Sequence, residues 1–116
     1  MNIYDEAHRL AGLLKETDEY KSYTALKQTA YDDSTNKALL DELKRLQFKL
    51  QAKAASGEKP PEEDMQKLMR ISSLLQLNQD ASAYIMAEFR FQKLLADIYK
   101  ILGDVAGIDI DALTQS

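Results

Sequence analysis

His8 is the single histidine of this 116-residue chain, and histidine is the side chain most ready for acid–base or metal chemistry near neutral pH. A zinc or di-iron helix would set a second histidine three or four residues away, and none stands there. Carboxylates gather at Asp32/Asp33, at Glu62/Glu63/Asp64 and at Asp109/Asp111. The first two groups fall where helices are expected to begin, and capping and the helix dipole account for them. Asp109 and Asp111 could hold a cation weakly, but nothing around them completes an EF-hand loop. The four glycines are isolated, so no phosphate-cradling loop exists, and no nucleophile-elbow motif supports a Ser–His–Asp arrangement. With no cysteine the chain has no disulfide, no thiol nucleophile and no thiolate ligand. No catalytic, cofactor or metal residue is assigned, and the expectation is a protein that is not an enzyme.

Two charged features remain. Arg45, Lys49 and Lys53 recur every fourth residue and form a basic stripe along one helix, with Lys44 beside it. Asp41 lies four residues before Arg45, at the spacing of a surface ion pair worth a few tenths of a kcal/mol. A solvated face is the plain reading; a nucleic-acid contact is the sharper one. The net charge of −4 weighs against a dedicated nucleic-acid binder, and no row of exposed aromatics accompanies the stripe. The second feature is Glu88, which stands inside the apolar sector of the last long helix. A charge there is unfavourable unless paired. Either it meets a Lys or Arg from a facing helix or a second subunit, or it reaches water at the edge of the stripe.

The elements that position these residues are all helical. The composition, 45% apolar and 29% charged, is that of an ordinary folded domain, and 116 residues suffice for one core. No apolar run approaches the roughly 20 residues that span a bilayer, and the N-terminus lacks the basic and apolar regions of a signal peptide, so a cytoplasmic location is expected. A first helix is expected over about residues 3–16, capped by Asn2, with Ile3, Ala7, Leu10 and Leu14 on one face. Thr17 or Asp18 interrupts it, and a second segment follows to about Tyr31 with Tyr20, Tyr23, Leu26 and Ala30 inward. The residues leave open whether these are two helices or one bent helix.

The third helix, from about Thr35 to Ser56, carries the seam Leu39, Leu43, Leu46, Leu50, flanked by Leu40 and Phe48. Gly57 suits the left-handed position that ends a helix, and Pro61 the first turn of the next. The fourth helix runs to about Leu77 with Met65, Leu68, Ile71, Ser72 and Leu75 inward, and Asn78 is an N-cap or a kink before the fifth. Gly103 and Gly107 are expected to end that fifth helix. The expected fold is all-α, an antiparallel helical bundle or long α-hairpin of about five helices, with one domain over 1–106 and a short tail over 107–116.

The fifth helix carries more apolar surface than one neighbour can cover. One ridge runs Tyr84, Ala87, Phe91, Leu94, Ile98, Ile101 and another Ile85, Phe89, Ala96, Tyr99, together wider than the roughly 100° stripe of a surface helix. In so small a chain the second side is expected to belong to another subunit, most simply in a symmetric homodimer. Tyr84, Ile85, Glu88, Phe89, Phe91, Leu95 and Tyr99 are the interface candidates.

The pattern Ala7-x-x-Leu10-Ala11, Glu19-Tyr20-x-x-Tyr23, Phe48-x-x-Gln51 and Asn78-Gln-Asp-Ala-Ser-Ala-Tyr84-Ile-Met-Ala-Glu88 resembles the YlbF/YmcA family of small bacterial helical proteins, its YheA-like branch most of all. The similarity covers nearly the whole chain and is most specific over Asn78–Glu88. The resemblance implies an all-helical, dimer-forming cytoplasmic protein without enzymatic activity. It also implies regulation of messenger RNA cleavage, because some members serve as subunits of a complex that modulates the endoribonuclease RNase Y. Some such complexes carry cysteine-held iron–sulfur clusters, for which this chain has no ligands. A nucleic-acid-binding module on the basic stripe, and a small-ligand binder or enzyme with a pocket beside His8 or Glu88, are the alternatives.

Overall fold

In the computed structural model, described for residues 2–107, five helices follow one another: α1 (Ile3–Lys15), α2 (Asp18–Asp32), α3 (Ser34–Ala55), α4 (Glu62–Gln76) and α5 (Gln79–Ala106). There is no strand among the described residues. The expected tail beyond Gly107, with Asp109 and Asp111, lies outside them.

Local chemistry sets most of the boundaries. Asn2 and Thr17 cap α1 and α2, their side-chain oxygens accepting from Tyr4 N at 2.8 Å and Tyr20 N at 3.1 Å. The question left open by the sequence therefore resolves to two helices. Asp33 caps α3 by accepting from Thr35 N and Asn36 N. Gly57, at φ +77°, ends α3. Its N–H donates to the Ala54 carbonyl and that of Glu58 to the Lys53 carbonyl, the paired bonds of a Schellman turn. Pro61 takes the N-cap position of α4, one residue earlier than its expected place. Asn78 is an N-cap, accepting from Ala81 N at 3.0 Å. Gly107 ends α5 in the left-handed region, whereas Gly103 lies inside the helix instead of ending it.

The core is a single cluster of Ala30, Leu40, Leu43, Leu46, Ile71, Leu75, Ala81 and Tyr84. The helices pair as α2 with α5 and α3 with α4. Tyr20, at the start of α2, meets Phe91, while Tyr31, at its end, meets Tyr84, so α2 runs antiparallel to α5. The small buried residues Ala30, Ala81 and Ala87 permit a close approach of these helices. On α3, Leu40 is among the most buried residues while Phe48 is 75% exposed, so the latter does not widen the seam.

α1 has no buried residue, and Ile3 is 77% exposed. Along the face Ile3, Ala7, Leu10, Leu14 the first two are exposed and the last two half-buried. The whole is flat and open, with extents of 51 × 37 × 16 Å and a radius of gyration of 16.9 Å. A compact globule of this length would have about 13 Å.

Candidate functional site

Glu88 finds its partner on α3. Its Oε2 accepts a hydrogen bond from the Tyr84 hydroxyl at 2.6 Å and lies 3.2 Å from Lys44 Nζ. The Lys44 ammonium also donates to the Tyr84 hydroxyl at 2.8 Å, closing a triangle in which that hydroxyl both accepts and donates. Helical spacing puts Tyr84 and Glu88 one turn apart on one face of α5, and α3 brings Lys44 across to them. Lys44 also lies over the rings of Tyr31 and Tyr84, at 5.7 and 5.3 Å from their centroids. Burial alone would push the Lys44 ammonium down. Attraction by the Glu88 carboxylate and its hydrogen bond outweigh this and hold the group above the ordinary lysine value. Tyr84 is pushed well up, by burial first and then by its bond to Glu88, so its hydroxyl stays protonated.

Aromatic rings back this triangle. Tyr23 stacks on Tyr84 at 5.9 Å and on Phe91 at 5.2 Å, and Tyr20 meets Phe91 edge-on at 5.5 Å. In front of it lies an open groove of about 740 Å³ between α3 and α5. Leu50, Leu68 and Ile85 line it with apolar surface, Gln47, Gln51 and Gln92 with amides, and Lys44 with Glu88 contributes a neutralised charge pair. Phe48 and Phe89 border it, the latter 66% exposed. Such a groove can hold apolar groups and bond polar ones through amides. It brings no nucleophile–base pair together.

The interface candidates separate by depth. Tyr84 is wholly buried in the chain's own core and is therefore not available to a partner. Ile85, Glu88, Phe91 and Leu95 are half-buried, while Phe89 and Tyr99 are exposed. The sequence reading missed Lys44, Gln47 and Gln92 as groove residues, because the groove is lined from several helices that only the fold brings together. Phe48-x-x-Gln51 and Glu88, which carry the family resemblance, all line it.

The basic stripe is largely neutralised. Arg45 bonds Glu42 through Nε at 3.0 Å and Nη2 at 2.6 Å, in place of the expected pairing with Asp41. Lys67 from α4 joins the same carboxylate at 2.9 Å. Hydrogen bonds from Arg45 and then Lys67 hold the Glu42 carboxyl down at about 2. Lys49 lies 3.0 Å from Asp64 Oδ2 at the start of α4. That oxygen is buried and receives no well-aligned hydrogen bond, so the ammonium acts on it through charge. Among the described residues Lys53, alone of the three stripe cations, has no ion pair. His8 sits exposed on α1. Among the described residues no group of three or more His, Cys, Asp or Glu could hold a metal ion, and no helix is long and apolar enough to cross a membrane.

Four helices around one small core, with α1 beside them and the Lys44–Tyr84–Glu88 triangle next to an amide-lined groove, define a small all-α protein. The chain belongs to the YlbF/YmcA family, described as control of competence regulator ComK, which it matches over residues 3–105. Among similar proteins, a UPF0342 protein of Caldicellulosiruptor bescii is 36% identical over 103 residues, 89% of this chain and 87% of the relative. One from Symbiobacterium thermophilum is 34% identical over 108 residues, 93% of this chain and 96% of the relative. A third, from Halothermothrix orenii, is 36% identical over 102 residues, 88% and 86% of the two chains.

Proposed function

We propose that the chain is a non-enzymatic regulatory protein that acts as a helical homodimer by binding other proteins, in the setting of RNA-processing control by RNase Y-type complexes. The observation that carries this reading is the apolar surface the chain leaves open on α1 and α5, surface that serves association and not catalysis. The regulatory description of the family supports it. The test is co-purification of the tagged full-length chain with the RNase Y-type endoribonuclease of the same bacterium, alongside sedimentation of the chain alone. A stoichiometric complex and a dimer at micromolar concentration are expected. Absence of the complex removes the RNase Y link, and a monomer removes the homodimer.

A second reading rests on the groove beside Glu88, whose 740 Å³ lies within the range of small-ligand sites. It is weaker because the groove is open and its charges neutralise each other. Metabolite screening by ligand-observed NMR, with Phe89→Glu as the control, tests it; a hit lost in that variant favours it. The nucleic-acid reading loses support, since Arg45 and Lys49 are engaged by Glu42 and Asp64. A salt-sensitive RNA shift abolished by Lys53→Glu would revive it.

A further inference from the structure

α2 sets three tyrosines and a lysine in one row. Tyr20, Tyr23, Lys27 and Tyr31 follow one another every third or fourth residue, so they share a face of the helix. The rings are half-buried and fixed by packing on α5: Tyr20 meets Phe91, Tyr23 stacks on Phe91 and Tyr84, and Tyr31 meets Tyr84 edge-on. All three line a pocket of about 620 Å³, a volume within the range of small-ligand sites. Lys27 and Gln28 of α2 and Lys37 of α3 line it as well. Tyr23 is shared with the groove beside Glu88; the other residues of this pocket are not.

The charge in this pocket is of one sign. The chain carries 19 Asp and Glu against 15 Lys and Arg, yet no carboxylate lines the pocket. Lys44, Arg45 and Lys49 each have a carboxylate partner. Lys27 and Lys37 have none among the described residues, and Asp41, one turn beyond Lys37, does not pair with it. The Lys27 ammonium lies instead over two rings, 5.6 Å from the Tyr23 centroid and 5.9 Å from that of Tyr31. Fixed aromatic surface, two ammonium groups without a counter-charge and an exposed amide suit a ligand that joins a flat ring system to strongly anionic oxygens.

We propose that this pocket binds a nucleotide: the base packs on the tyrosine rings with Gln28 at its polar edge, and the phosphates meet Lys27 and Lys37. Inorganic phosphate would leave the rings unused, and an uncharged aromatic would leave both ammonium groups unanswered. The nucleotide is either free or one unit of a single strand, with the same chemistry in both cases. The site shares no residue with the basic stripe of α3 and needs no second copy of the chain, so it stands apart from both of those readings.

The test follows the amide signals of the full-length, isotope-labelled chain by NMR at low salt. The probes are ATP, a short oligoadenylate strand, tripolyphosphate and adenosine. Saturable shifts are expected at Thr24 and the Gln28 side chain with ATP or the strand, while the side-chain amides of Gln51 and Gln92 in the other groove stay in place. Tripolyphosphate and adenosine should bind at least about 5-fold more weakly, because each fills half of the site. Tighter binding of ATP assigns a free nucleotide and tighter binding of the strand an RNA-borne one; both support the proposal. No saturable shift with either up to about 1 mM overturns it. Equal affinity for tripolyphosphate or adenosine overturns it too, as do shifts centred on Gln51 and Gln92. Lys27→Glu/Lys37→Glu changes two exposed residues, and circular dichroism checks that the helices remain. Its dissociation constant for the tighter of ATP and the strand should rise about 10-fold or more. Lys59→Glu/Arg70→Glu makes the same change in net charge away from the pocket and should leave binding as it is; equal weakening by the two double variants overturns the proposal.

Discussion

The two halves of α5 share a backbone and a mean apolar character, yet they live in different surroundings. From Gln79 to Phe91 the helix is held on three sides: Ala81, Tyr84 and Ala87 are buried, rings from α2 stack on Tyr84 and Phe91, and Lys44 of α3 bonds Tyr84. From Gln92 to Ala106 it exposes Tyr99, Ile101, Leu102 and Val105. The difference teaches that apolar periodicity specifies a face to be covered without specifying which chain covers it. In the first half the covering is internal and sets the stability of the monomer. In the second much of the apolar surface stays exposed.

That contrast can be broken by mutation. The largest effect is expected at Leu46, fully buried in the core on α3: Leu46→Ala should lower the unfolding free energy by about 2–5 kcal/mol in urea titration. Leu102→Ala in the exposed half should change it by no more than about 0.5 kcal/mol when measured at low protein concentration. Equal losses at the two sites would abolish the distinction between the halves.

The next effect belongs to Asn78. Its Oδ1 accepts both from Ala81 N and from Asn36 Nδ2 at 3.1 Å, and Asn36 is buried. Asn78→Ala removes the cap of α5 and leaves that amide without its partner, a loss of about 1–3 kcal/mol. A change near zero would mean that water serves both groups equally well.

Tyr84→Phe keeps the ring stacking and removes only the hydroxyl between Lys44 and Glu88. A loss of about 1 kcal/mol is expected, with the Lys44–Glu88 pair retained. Thermal melts of this variant against Lys44→Met, which strands Glu88 without its cation, should rank the latter as more damaging.

The smallest effect depends on pH. The Glu42 carboxyl is held at about 2, below its ordinary 4.5, by Arg45 and Lys67. Its stabilising contribution is therefore fully present above about pH 4.5 and fades as the pH falls towards 2. Glu42→Gln should flatten that part of the stability curve, seen as a smaller drop in Tm between pH 4.5 and 2.5. Identical slopes in the two proteins would show that the cluster is not held in solution.

Much of this was legible in the residues. Asn2, Thr17, Asp33, Gly57 and Asn78 announce helix boundaries because capping needs only near neighbours, so the boundaries were readable to within a residue or two. Glu88 was conspicuous as a charge among apolar residues, though Lys44 as its partner was not, since 44 positions separate the two and only the fold brings them together. Asp41 and Glu42 offer Arg45 equally plausible pairings, and the choice falls to Glu42 because Lys67 of α4 reaches the same carboxylate. Ile3 and Tyr84 show the other limit. Ile3 shares a face with the half-buried Leu10 and Leu14 and is exposed; Tyr84 looked like an interface residue and is buried. Both are apolar at helical spacing, and periodicity alone cannot order them by depth.

The bond between Asn36 and Asn78 pins the beginnings of α3 and α5 side by side, and the two helices separate from there towards the groove. A pinned pair of rods behaves as a pair of calipers. Gln51 stands 15 residues beyond Asn36, roughly 22 Å along the helix axis, so a rotation of about 10° at the pin would move the groove wall by about 4 Å. The Lys44–Tyr84–Glu88 triangle, the second tie between the same two helices, opposes that rotation beside the groove.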